Sequence, residues 1–345
     1  MIEIDGGQKS GSGTILRLAV ALAAIRGEPL HIYNVRKNRP QPGLKPQHLE
    51  AVLTAAKLCD AELRGATLNS RELWFTPRKI RGGRFEAEIG TAGSIPMLLT
   101  AVLPICAFAE SAVNLHITKG GTDVQHSPII NYLRFVLLPM LKRMGLDASL
   151  TVHRYGYYPK GNGEATLTTE PCKSLKPLQL ESFGNITSIA GLSVCTFLTD
   201  RKVAERQAKA ASGLLMAKGY HASIEVLDDT SNPLQKGSSI VLWTKTDAGV
   251  VLGADAIGEL RKPSEAVGTE AAEKLLAEIQ AKPTVDAHLA DMLIPYVALA
   301  EGKSTYLTRM YSEHLEANVW LVEKMLNRRT TVQQVNGLCK IESAN

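Results

Sequence analysis

Met1 to Arg26 reads MIEIDGGQKSGSGTILRLAVALAAIR, and Arg84 to Phe108 reads RFEAEIGTAGSIPMLLTAVLPICAF. Both stretches pass from a short strand pattern through a turn of small residues into an apolar helical run. In the first, Ile15, Leu18, Leu22 and Ile25 recur at helical spacing after the turn Gly6–Gly13. In the second, the turn Gly90–Ser94 leads into a helix that carries Pro96 in its first turn, where a missing N–H does no harm. Working outward, strand His31–Val35, helix Gln47–Leu58 and strands near Glu62 and Leu73 follow the first stretch. Strand Asn114–Ile117, helix Pro128–Arg143 and strands near Ala148 and Ala165 follow the second. Asp5 and Gly90 stand 85 residues apart, and Gln47 and Pro128 stand 81 apart. Two β-α-β-α-β-β units of one size in one order predict an internally duplicated α+β protein.

A third copy reads as interrupted. A strand near Leu178–Ser182 opens it. Helices Glu265–Ile279 and Ala287–Leu299, strand Ser304–Arg309, helix Leu315–Leu326 and strands near Val332 and Cys339 complete it. Between them lies a β-α-β-β module: strand Ile186–Phe197, helix Lys202–Lys218, strands Ala222–Leu227 and Ser239–Trp243. The expected division is a large repeat domain over 1–183 plus 276–345, with a small domain inserted at 184–275.

Composition narrows the class. The 345 residues are 45% hydrophobic and 21% charged, as in ordinary globular chains. The net charge of +5 permits a polyanionic partner without demanding one. Aromatics at 5% argue against a surface that reads bases mainly by ring stacking. Five cysteines, none in a CxxC pair, fit neither a disulfide scaffold nor a cysteine-built zinc site. The N-terminus lacks a signal-peptide pattern and no apolar run reads as a membrane span, so a cytoplasmic protein is expected.

The segment Asn34–Leu49, NVRKNRPQPGLKPQHL, packs Arg36, Lys37, Arg39 and Lys45 among Pro40, Pro42, Pro46 and Gly43. Proline restricts its own φ and the residue before it. The segment therefore reads as a stiff loop holding cations in place, a form suited to gripping phosphate; a solvated surface loop is the other reading. The turns Gly6–Gly13, Gly90–Ser94 and Gly120–Asp123 sit between strand and helix, where backbone N–H groups suit anions. Simple tight turns explain the same glycines. A P-loop is excluded, because Ser12-Gly13 stands where Lys-Ser/Thr is needed. Arg17, one turn into the first helix, can reach an anion at that turn or can be a surface arginine.

His314 precedes an amphipathic helix carrying Leu315, Val319, Val322 and Met325 on one face. At a helix N-terminus an imidazole is held neutral and nucleophilic, and a phosphate bonded to it meets helix N–H groups. A structural histidine near a cap is the alternative. The eight histidines show no HxxxH or HExxH, and Asp286, His288 and Asp291 read as one polar helix face.

Taken together these motifs resemble the RNA 3′-terminal phosphate cyclases. The likeness runs in order through IDGG…GSGTILR, NVRKNRPQPGLKPQHL, IGTAGS, KGGTD…SPIINYL, RYGYYPKGNGE, VAERQAK, LGADAIGE…KPSEAVG, VDAHLADMLIPYVALAEG and SEHLEANVW. The resemblance implies three β-α-β-α-β-β repeats with a thioredoxin-like domain inserted in the third. It implies that His314 attacks the α-phosphate of ATP to form a covalent His–AMP. AMP then passes to an RNA 3′-phosphate, and the vicinal 2′-OH closes a 2′,3′-cyclic phosphate. By the same likeness Arg17, Arg36, Arg39, Gln47 and His48 hold phosphate or RNA, and Gly11, Gly13, Asp291, His314 and Asn318 hold ATP. A divalent ion, Mg²⁺ or Mn²⁺, is implied for the ATP step, with RNA 3′-phosphate ends as partners, no membrane, and an oligomer as an option.

The chain departs from that pattern. Ser10 and Thr14 stand where a glutamate and a glutamine are usual, and Lys9 and Ser12 are also atypical. Thr100 and Met292 replace glutamines, and Ala317 replaces a threonine. His314 and the arginines remain, so a divergent member keeping nucleotidyl chemistry is expected. The rival readings are a non-catalytic cyclase-like factor in ribosome or RNA processing, a diverged nucleotidyltransferase acting on another RNA end, and a small-molecule transferase of the same repeat fold.

Overall fold

The computed structural model describes residues 1–344. Strand β1 (Ile2–Asp5) leads through the first turn into α1 (Gly13–Arg26), then β2 (Leu30–Tyr33), α2 (Pro46–Cys59), β3 (Glu62–Arg64) and β4 (Leu73–Thr76). These strands form a sheet in the order β1-β2-β4-β3. The pair β1–β2 is parallel, and β2–β4 and β3–β4 are antiparallel. Next come β5 (Gly83–Glu88), α3 (Ile95–Ala107), β6 (Val113–Gly120), α4 (Ile130–Tyr132), a π-helical stretch Leu133–Leu137, α5 (Leu138–Arg143), β7 (Ala148–Arg154) and β8 (Gly163–Thr169). Their sheet has the order β5-β6-β8-β7, with the same parallel and antiparallel pairings. Helices cross between the parallel strands, as such connections require.

The single helix expected over Pro128–Arg143 is wound differently. It starts at Ile130 and widens to π geometry over Leu133–Leu137. Pro139, which lacks an N–H, lies at the start of α5 and removes one rung of the regular ladder there.

A third sheet follows: β9 (Ile186–Thr196), α6 (Val203–Ala217), β10 (Ala222–Asp229), β11 (Gly237–Thr246) and β12 (Val251–Ile257), in the order β10-β9-β11-β12. The chain then runs through α7 (Ser264–Ala281), α8 (Ala287–Leu299), β13 (Ser304–Thr308), α9 (Glu313–Leu326), β14 (Arg329–Val335) and β15 (Leu338–Ala344), giving a sheet β13-β15-β14. The strand expected at Leu178–Ser182 is reduced to one parallel bridge, Gln179 with Thr305. Strand β12 was not expected, because Gly253 and Asp255 interrupt its apolar run. The domain boundary expected at 275 falls inside α7, an unbroken helix packed on α6, β11 and β12.

Helices α1 and α3 are buried almost throughout, from Ile15 to Ala24 and from Ile95 to Ala107, and form the centre of the core. The third sheet is seated on the rest by Trp243 stacked on Phe135, with ring centroids 4.5 Å apart. Gly253 is required there: a Cβ would run into Tyr132 and Val136. No helix among the described residues is long and apolar enough to cross a membrane.

Candidate active site

Three helices begin at one place. Ser12 caps α1, its hydroxyl accepting from Thr14 N–H. Ser312 caps α9, its hydroxyl accepting from Leu315 N–H at 2.9 Å. Helix α2 starts with Pro46 in its first turn. His314 is the second residue of α9, so the expected helix N-terminal position is the observed one. The helix expected over Leu315–Leu326 begins two residues earlier, because Ser312 caps it and Glu313 and Glu316 complement its N-terminus.

Beside His314 opens a cavity of about 620 Å³, walled by α1, α3, α8, α9 and the segment between β12 and α7. Thr14, Arg17, Asp291, His314 and Asn318 line its polar side. Leu18, Leu137, Ile257, Met292 and Pro295 line its apolar side. Thr100, where the resemblance implied a glutamine, also faces it.

Arg17 is walled in by protein yet keeps a surface on the cavity. Its guanidinium donates to Thr14 Oγ1 at 3.2 Å and touches Met97 Sδ at 3.9 Å; no carboxylate partner is found for it among the described residues. Burial, with Arg36 adding to it, lowers its pKa to about 10. An enclosed cation without a counter-ion is costly unless an anion joins it.

His48 sits behind Arg17, 4% exposed, with Nδ1 unpartnered. Burial first, then Arg17, Arg36 and Lys45, push its pKa down to about 2. It is therefore a neutral ring, not a further cation. The sequence missed why Gly13 precedes Thr14: a Cβ there would overlap the His48 imidazole. Gly11, at φ +51°, has Asn38 in the same relation. Its N–H bonds to Gln8 O within the turn.

The cationic loop is tied down along its length. Val35, Gly43, Leu44 and Asn69 close it by backbone bonds onto the β3–β4 connection, and Gly43 (φ +81°) has no room for a Cβ beside Asn69. Arg36 donates to Gln41 O at 2.8 Å and Gly43 O at 2.9 Å, so it braces the loop as well as charging the site. Arg39 is exposed and, with Arg17, helps burial to hold the His314 imidazole below its usual pKa. The carboxamide oxygen of Gln47 accepts from Ser94 N–H at 2.9 Å at the start of α3. That bond, and the bond of Gly121 N–H to Gly93 O, occupy N–H groups in the second and third turns, so these are not open to an anion.

Asp291 accepts from Ser312 Oγ at 2.7 Å, and burial raises its carboxyl to about 6. Asn318 donates to Asp291 O at 2.9 Å. Together they tie α8 to the first turn of α9 and fix where His314 stands. Ser10 and Ser12 bond to each other at 2.9 Å. The implied divalent ion finds no ligand set here: among the described residues no three His, Cys, Asp or Glu side chains are placed to hold one.

The neutral state of His48 has a measurable consequence. An unfolded imidazole titrates near 6.5, and the folded one near 2. Between those values the unfolded chain binds the extra proton, so stability is full above pH 6.5 and falls as pH drops. The expected loss is roughly 1 kcal/mol per pH unit. Asp123, raised to about 7 by burial, and Asp291 run in the opposite direction. Urea melts of the parent chain and H48Q between pH 7.5 and 4.5 cancel those shared terms. The parent is expected to lose more stability; parallel curves would mean that His48 is protonated in the fold.

A family model described as RNA 3′-terminal phosphate cyclase matches residues 8–332, and the chain belongs to that family. Among curated proteins of that name, one from Pyrobaculum aerophilum is 43% identical over 99% of this chain and 97% of its own length. One from Methanopyrus kandleri is 44% identical over 94% and 93%, and one from Pyrococcus furiosus 44% over 95% and 94%.

Proposed function

We propose that the protein is an ATP-dependent RNA 3′-terminal phosphate cyclase with His314 as nucleophile. The observation that carries this is Arg17: a walled-in guanidinium without a carboxylate, facing a cavity that also holds a neutral histidine at a helix N-terminus. That pairing suits a phosphoryl group under attack. The apolar side of the cavity suits the flat face of a nucleotide base.

In this reading His314 attacks the α-phosphorus of ATP and pyrophosphate leaves. The AMP passes to an RNA 3′-phosphate, which alone lacks a good leaving group. The adjacent 2′-OH then displaces AMP, an intramolecular step favoured by proximity. Arg17, with Arg36 and Arg39 from the stiff loop, neutralises the phosphoryl oxygens. His48 packs behind Arg17, and Gln47 fixes α2 against α3. Asp291, Asn318 and the Gly11–Gly13 turn shape the nucleotide side. Mg²⁺ or Mn²⁺ would be a co-substrate of the ATP step.

The architecture fits three β-α-β-α-β-β repeats with a thioredoxin-like insertion. The like order of the first two sheets supports the repeat, and β9–α6–β10 with antiparallel β11 and β12 supports the insertion. The packing of α7 favours an insertion reaching slightly beyond 184–275, with 1–183 and the remaining C-terminal chain as the large domain. A cytoplasmic site of action is consistent with RNA ends and ATP.

The test is incubation with ATP and an RNA ending in a 3′-phosphate. The expected product resists phosphatase and co-migrates with a 2′,3′-cyclic end, and a 2′-deoxy terminal nucleotide gives none. An RNA end unchanged under these conditions would overturn the reading.

A further inference from the structure

We propose that Thr14 is the positioning residue that sets the tautomer of His314; the proposal rests on His314 being the nucleophile. Thr14 Oγ1 lies 3.4 Å from His314 Nδ1, and the same oxygen accepts from Arg17 Nη2 at 3.2 Å. A guanidinium only donates, so it takes one of the two acceptor directions of the hydroxyl. That leaves one acceptor direction free for Nδ1–H. When Nδ1–H donates into it, the Nε2 lone pair is left for attack. In water an imidazole prefers its proton on Nε2, which blocks that atom.

The reaction accounts for every electron pair. Nε2 bonds to the α-phosphorus, and the P–O bond to pyrophosphate breaks with its electrons leaving on pyrophosphate. The ring becomes cationic while Nδ1 keeps its proton, donating it to Thr14. When AMP moves to the RNA phosphate, the bonding pair returns to Nε2. Because Arg17 and Thr14 are one turn apart on α1, one helix delivers both the phosphate-neutralising charge and the oxygen that orients the nucleophile.

Thr14→Val keeps the shape and removes the hydroxyl; Thr14→Ser restores it. Two readouts decide the matter. Long-range ¹H–¹⁵N spectra, with the His314 ring assigned by its absence in His314→Gln, are expected to show Nδ1–H in the parent and Ser variant and a shift toward Nε2–H in the Val variant. Single-turnover labelling by α-labelled ATP is expected to slow about 10- to 100-fold in the Val variant and recover in the Ser variant. An unchanged tautomer in the Val variant, or labelling at the parent rate, overturns the proposal. If the parent itself takes no label at His314, the functional reading fails, and the spectra still judge Thr14.

Discussion

His314→Ala is expected to take up no label from α-labelled ATP and to form no cyclic RNA ends, while melting with the parent. The side chain lines the cavity rim, outside the packed core, at the second position of α9, whose cap is Ser312, so its loss leaves the helix start and the core intact. Removal of a nucleophile eliminates the covalent path rather than slowing it, since no neighbouring group takes its place. His48, the other histidine of the cluster, is sealed behind Arg17. Acid-labile, alkali-stable label on the parent is what a phosphoramidate predicts. Label persisting in the alanine variant would move the nucleophile elsewhere and undo the assignment.

Arg17→Met is expected to separate activity from stability. Activity is expected to fall roughly 100- to 1000-fold, because the charge proposed to meet the phosphoryl oxygens is gone. Stability holds or rises by about 1 kcal/mol, because a walled-in cation with only a hydroxyl and a thioether beside it is replaced by an apolar chain of like length. Phosphate or ATP, which should raise the melting temperature of the parent, should lose that effect in the variant. A variant both inactive and strongly destabilised would make Arg17 a structural residue.

The sequence made the first two sheets readable because each strand there is bounded by turn residues and each helix carries an apolar stripe. Strand β12 escaped because its side chains alternate with Gly253 and Asp255, which serve contacts with Tyr132, Val136 and Ile129 rather than strand propensity. The apolar stripe of α9 placed its start within two residues, and with it the N-terminal position of His314. The state of His48 was not legible: its neutrality arises first from burial against Gly13 and then from Arg17, both supplied by α1, with Arg36 and Lys45 of its own segment adding to it. The role of Gln47 was also hidden, since only tertiary packing brings Ser94 to its carboxamide.

The Thr14–His314 contact joins residues 300 positions apart, Lys9–Glu316 joins residues 307 apart, and Arg26 reaches the carbonyl of Met325. During synthesis the first turn and α1 emerge early and must wait for α9, among the last elements made. Until then the flank of α1 that α9 covers has no partner. An unfinished or C-terminally clipped chain therefore lacks both the α9 wall of the cavity and the partner that covers this flank of α1. The same long loop closure makes assembly of the site a late and slow folding event.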